Sequence, residues 1–279
     1  KQINHYLQDK NDHKIFFIWG PRRSGKTTLL KKISAELRLP LFNFDLISDW
    51  EKFTPDKSVL EKITRTCPII LIDEVQNYPE ATLALKILFD EFKVKIIATG
   101  SSELRQKSKH FDSLAGRFTE HFCLPLTLGE IKNNINLPAY EEKSYWRDWL
   151  AQNQIFGSYP EVASINSENK KIEILQNILD AYVLKDIINI YNLHNVKLAR
   201  DILTKIALQI GQEVSLRELA GSAGANITTV SSYVEIFIKN YILLPLPAFK
   251  TNIRRAVSAH RKYYFLDLGI RNILVKDFR

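Results

Sequence analysis

Short, wholly apolar runs alternate with amphipathic stretches through the first half of the chain. Residues 15–19, Ile-Phe-Phe-Ile-Trp, read as a strand, followed by a Gly-rich turn and a helix over 26–37. Residues 41–44 are a strand candidate, 58–64 a short helix and 68–72 a buried strand. Over 81–92 the apolar positions Leu83, Leu85, Ile87, Leu88 and Phe92 keep helical spacing. A strand is expected at 95–99, a helix at 102–114 and another strand at 119–124. Strands without polar alternation, separated by helices, predict an α/β fold: a parallel sheet with helices on both faces.

After Leu126 the pattern changes. Helical spacing dominates from 128 to 210, clearest at 142–152 and 172–190. Beyond Gly211 two short helices are expected, at 215–221 and 228–241. Ser215 suits an N-cap with Glu218 three residues on. In the second helix Val230, Tyr233, Val234, Phe237 and Ile238 would face a core. Two apolar runs, 242–249 and 263–266, flank a stretch with no acid between 250 and 262. That stretch holds Lys250, Arg254, Arg255, His260, Arg261 and Lys262. The spacing predicts a winged-helix domain over 209–266, whose wing cations could meet DNA phosphates. Winged helices also serve as packing or partner-docking modules. The second helix offers Thr228, Thr229, Ser231 and Ser232 but only Lys239 as a nearby cation, so the basic stretch carries the argument for DNA.

A chain of 279 residues exceeds one ordinary core, so two or three domains are expected. With 45% hydrophobic and 25% charged residues the balance is that of a soluble globular protein. The longest apolar runs fall far short of a membrane span, and residues 1–10 lack the apolar segment of a secretion signal. No membrane partner and a cytoplasmic location are therefore expected. Cys67 and Cys123 show no zinc or disulfide spacing and read as buried thiols. The formal charge of +8 suits an acidic partner, nucleic acid foremost, although many basic proteins have none.

The sharpest chemical signal is Gly20-Pro21-Arg22-Arg23-Ser24-Gly25-Lys26-Thr27, a complete G-x-x-x-x-G-K-[ST] between a predicted strand and a predicted helix. Gly25 lets the backbone wrap so that successive N–H groups point at phosphate oxygens, and the following helix adds its dipole. Lys26 should reach the β- and γ-phosphates of ATP or ADP, Thr27 should ligate Mg²⁺, and Thr28 should lie near the α-phosphate. The second half of the site is the apolar run 69–72 ending in Asp73-Glu74, two carboxylates at the end of a strand where open α/β sheets bind ligands. Asp73 would hold the Mg²⁺ shell, and Glu74 would polarise a water for attack on the γ-phosphate. At the tip of the next strand, Ser101 could hold that water or simply cap a helix. Arg117, after Leu114-Ala115-Gly116, could act within its own subunit, reach a neighbour's γ-phosphate, or merely close a helix in which Gly116 is the left-handed residue.

The motifs at 20–27, 69–74, 99–102 and 115–117 together resemble the AAA+ superfamily. More narrowly, the chain resembles prokaryotic ATPases in which an AAA domain precedes a C-terminal domain of unknown function. Phe156-Gly157-Ser158-Tyr159-Pro160-Glu161 and Lys262-Tyr263-Tyr264-Phe265-Leu266-Asp267-Leu268-Gly269 resemble later signatures, so the likeness covers most of the chain. It implies a five-stranded P-loop core over 1–127 and a helical lid over 128–208. It also implies an arginine-finger-like place for Arg117, and hence a homo-oligomer. A nuclease-like region is implied after the late signature, of which 267–279 would be the truncated start.

Two functions remain open: Mg²⁺-dependent ATP hydrolysis coupled to movement of the winged helix, or an ATP-dependent switch that binds DNA or a protein with little turnover. Glu74 favours hydrolysis, because a pure binder needs no base there. A small-molecule kinase lacks an evident acceptor site, and no Asn-Lys-x-Asp motif is present to read guanine.

Overall fold

Five parallel strands organise the N-terminal half: β1 (Ile15–Trp19), β2 (Leu41–Asn43), β3 (Ile69–Asp73), β4 (Lys95–Gly100) and β5 (Phe118–Phe122). In the computed structural model they lie in the order β2-β3-β4-β1-β5. The structure describes residues 2–9, 11–100, 111–132, 135, 137–186, 195–247 and 261–279. Inner strands β1 and β4 are buried almost throughout, which is why they read as unbroken apolar runs. The edge strand β5, Phe-Thr-Glu-His-Phe, is half-exposed and correspondingly mixed.

Alternate side chains of β1 take opposite faces of the sheet. Phe16 and Ile18 pack with Leu30 and Ile33 of α2 (Lys26–Leu37) and with Tyr6 of α1 (Gln2–Gln8). Phe17 and Trp19 meet Phe111 on the other side. Around the sheet lie α3 (Ile47–Lys52), α4 (Lys57–Thr66) and α5 (Ala81–Ile87), the last continuing as a π-helical turn over Leu88–Phe92. Helix α4 begins before the expected residue 58 because Asp56 caps it, accepting from the Ser58 and Val59 amides. Of the helix expected at 102–114, the described part is only a 3₁₀ turn, Phe111–Leu114; residues 102–110 lie outside the described set.

The chain divides into two compact units, Lys1–Leu124 and Pro125–Arg279. The second begins with α6 (Leu128–Lys132), α7 (Ala139–Phe156), α8 (Pro160–Ala163) and α9 (Glu168–Asn177), which runs into a π-helical stretch, Ile178–Asp186. There follow α10 (Val196–Leu208), β6 (Glu213–Val214), α11 (Leu216–Ala223), α12 (Ile227–Lys239), β7 (Leu243–Leu246), β8 (Arg261–Phe265) and α13 (Leu268–Val275). The three strands form an antiparallel sheet in the order β6-β8-β7. Strand β6 has two residues, too few for a periodic signal. One hydrophobic core runs from Phe156 through Ile206, Phe237 and Phe265 to Leu274, so residues from 128–208, 209–266 and 267–279 all contribute to it.

Candidate functional site

The loop from Gly20 to Gly25 joins β1 to α2 at the C-terminal end of the sheet. A Cβ on Gly20 would lie 2.0 Å from the Cys123 carbonyl oxygen, so only glycine fits. Cys123 also donates its amide to the Trp19 carbonyl at 2.7 Å and its thiol to the Ser24 carbonyl at 3.3 Å. The segment leaving β5 thus braces the loop. Cys67 is buried as expected, but Cys123 is half-buried because it lies along this loop. Arg23 and Gly25 adopt left-handed backbone, φ 62° and 101°, and Gly25 is the N-cap of α2. These turns bend successive amides toward one point, as an anion site requires. The Ser24 hydroxyl is buried and has no hydrogen-bond partner. Lys26 is buried, and its ammonium donates to the carbonyls of Gly20 (2.9 Å) and Pro21 (2.7 Å). Thr27 is half-buried, and Thr28 is exposed.

The acidic half sits at the tip of β3. Asp73 is buried, and the Thr99 hydroxyl of β4 donates to its Oδ1. Thr99 also accepts from the Glu74 amide at 3.4 Å. Glu74 is left-handed, φ 53°, and opens a 3₁₀ turn, Val75–Asn77, from which the Gln76 side-chain amide donates to Glu74 Oε2. Burial lowers the pKa of Lys26, while the charges of Glu74, Cys123 and Asp73 raise it. Burial raises that of Glu74, opposed by the Gln76 hydrogen bond and the charge of Lys26. Lys26 follows β1 and Asp73-Glu74 end β3 at the same C-terminal end of the sheet, close enough for their charges to act on one another.

Thr99 and Gln76 fall within stretches that carry the resemblance, 99–102 and 71–76, but the sequence assigns neither a role. Thr99 is a hydroxyl ending an otherwise apolar run, Ile96-Ile97-Ala98. Ser101, expected to hold the water, lies outside the described residues.

Arg117 is not brought to this site within the chain. It precedes β5 at the opposite end of the sheet, its carbonyl accepting from Ile15 N at 2.8 Å. Its guanidinium donates to both carboxylate oxygens of Asp90 (2.7 and 3.1 Å) and to the Ser113 carbonyl. Gly116 is left-handed, φ 79°, and Arg117 N bonds Leu114 O, the helix-closing geometry. Of the basic candidates, Arg261 is exposed and Lys262 half-buried on β8, whereas Lys250, Arg254 and Arg255 lie outside the described residues.

A parallel sheet of this order, with a P-loop after β1 and paired acids at the tip of β3, defines a P-loop nucleotide-binding domain. Residues 12–132 match the family described as AAA domain, and residues 147–278 match a domain of unknown function (DUF8612). Two uncharacterized proteins of Methanocaldococcus jannaschii are 27% and 24% identical over 96% and 98% of this chain. The chain spans 64% and 65% of their lengths. Among solved structures, the RuvB Holliday junction branch migration motor of Thermotoga maritima is 17% identical, with 88% of each chain covered and a TM-score of 0.35. The Aeropyrum pernix Orc1 protein in complex with DNA is 13% identical over 95% of this chain and 87% of that one, TM-score 0.37. Likeness at that level carries no argument about activity.

Proposed function

We propose that the chain is a Mg²⁺-dependent ATP hydrolase whose turnover moves its C-terminal module. The observation that supports this best is the gathering of Lys26, Asp73 and Glu74, within reach of one another's charge, at the end of the sheet that carries a loop of left-handed turns. In this reading the backbone amides of 22–27 and the unpartnered Ser24 hydroxyl take phosphate oxygens. Pro21 has no N–H and serves only to shape the turn, and Thr28 lies at the rim. Lys26 exchanges the loop carbonyls for β- and γ-phosphate oxygens. Among the described residues no three His, Cys, Asp or Glu side chains gather into a metal cage. The hard oxygens of Thr27 and Asp73 suit Mg²⁺ held mainly through phosphates and water. When bound, the ion would offset phosphate charge. Glu74 takes a proton from the attacking water as its oxygen bonds to the γ-phosphorus, and the bond to the β–γ bridging oxygen breaks to leave ADP and phosphate.

Nucleotide binding and steady-state hydrolysis by wild type, Lys26→Ala and Glu74→Gln test this. Lys26→Ala should lose both; Glu74→Gln should bind normally and turn over about 100-fold more slowly, or worse. Tight binding without turnover in the wild type would identify a nucleotide-dependent switch instead.

For the second unit, the order β6-α11-α12-β7-β8 with sheet order β6-β8-β7 supports reading 209–266 as a winged helix. We propose 128–208 as the lid and the basic stretch of Lys250, Arg254, Arg255, Arg261 and Lys262 as the polyanion contact, DNA foremost. A gel shift at low salt should detect binding that weakens in Arg254→Ala/Arg255→Ala, with a shallower salt dependence.

A further inference from the structure

We propose that Gln76 is the positioning residue for Glu74: a buried amide that holds the carboxylate from one side and leaves its other oxygen to face the attacking water. The inference rests on the hydrolytic reading of the site. Glu74 is one of few non-glycine residues with left-handed backbone, a conformation that costs energy and persists only where its surroundings impose it. Two contacts do so here: Thr99 takes the Glu74 amide, and the Asn77 amide bonds the Glu74 carbonyl at 3.0 Å to close the 3₁₀ turn. These hold the main chain of Glu74 but not its carboxylate.

The carboxylate is held by Gln76 Nε2, which donates to Glu74 Oε2. Gln76 is itself buried, unusual for a glutamine, and cannot swing freely. Gly100, at the end of β4, makes the space it occupies. A Cβ at residue 100 would lie 3.0 Å from Gln76 Oε1, 3.0 Å from Val75 and 2.9 Å from the Trp19 ring. A rigid donor beside a flexible carboxylate reduces the orientations the base must search before it meets its proton. That contribution appears in turnover rather than in nucleotide affinity.

Gln76→Met keeps the length and volume of the side chain and removes the donor. The expected result is a kcat lowered about tenfold or more, with KM and the ATP dissociation constant within about twofold of wild type. The decisive comparison is made in the Glu74→Gln background. If Gln76 acts through Glu74, adding Gln76→Met should change the residual turnover by less than about twofold. A loss of equal size in both backgrounds would mark Gln76 as merely structural and overturn the inference, as would a wild-type or raised kcat in Gln76→Met. Thermal denaturation of each variant separates loss of function from loss of fold, and Gln76→Leu stands in should the Met variant not fold. Absence of wild-type turnover, or turnover indifferent to Glu74→Gln, overturns the hydrolytic reading and this inference with it. Glu74-dependent turnover that ignores Gln76→Met overturns this inference alone.

Discussion

Thr99 on β4 donates its hydroxyl to the carboxylate of Asp73 on the neighbouring strand and accepts the amide of Glu74 at 3.4 Å. A fully buried hydroxyl thereby orients the Asp73 carboxylate and fixes the main chain of Glu74 from the strand that separates them from β1. Thr99→Val keeps the shape and leaves a buried carboxylate short of a donor, which costs about 1–3 kcal/mol. Urea unfolding should show that loss. Turnover should fall at least about tenfold, with a weaker response to added Mg²⁺ and little change in metal-free nucleotide affinity. A Mg²⁺ titration indistinguishable from wild type would remove Thr99 from the site.

Gly20 faces backbone, not a side chain that could move aside. The 2.0 Å approach of a Cβ to the Cys123 carbonyl must displace either the loop or the segment after β5. Gly20→Ala should therefore weaken binding of a fluorescent ATP analogue by roughly tenfold or more, because the loop amides lose their common aim. Unchanged affinity would show that the loop tolerates the shift.

The first unit was largely legible because its signals are local. Apolar runs announce parallel strands, and the P-loop spacing is set by the turn it must make. The contacts that orient the acids were legible only as a polar strand tip near Glu74; nothing in the sequence says that Thr99 turns toward Asp73, 26 positions away. Strand β6 has no sequence signal because two residues carry no period. Helix α1 is only seven residues long, too short for its apolar Ile3, Tyr6 and Leu7 to establish a period, and it is held by the Tyr6 hydroxyl, which bonds both the amide and the carbonyl of Ile96. The motifs around Gly157 and Asp267 looked like separate signatures, and only the folded unit brings them together.

Arg117 is paired with Asp90 at the end of the sheet away from its own P-loop. Any help it gives to catalysis must go to a neighbouring chain, after release from Asp90. Specific activity of the wild type should then rise with protein concentration, while Arg117→Ala stays flat and low with normal nucleotide affinity. Concentration-independent activity in both proteins would confine Arg117 to closing the turn before β5.

Asp267 joins the two later motifs. It caps α13, accepts from the Ser158 amide at 2.7 Å and from Ile270 at 3.4 Å, and fills the space that a Cβ on Gly157 would need. From the same helix Asn272 donates to the carbonyls of Gln154 and Ile155, fastening α13 to the end of α7. Burial pushes the Asp267 carboxyl up to about 6 from its ordinary 3.8, against the backbone donors of Ser158, Ile270, Gly269 and Tyr159. The folded state thus holds this proton more tightly than the unfolded chain. Its contribution to stability is complete below pH 4 and is lost as pH rises through 6. Asp267→Asn cannot titrate and should be less stable at every pH, since its amide would face the Ser158 N–H. The gap between wild type and variant should shrink by about 2 kcal/mol between pH 4.5 and pH 7.5. Urea unfolding of both proteins at the two pH values measures it, and a gap that stays constant or widens would show that the backbone donors outweigh burial and keep Asp267 ionised throughout.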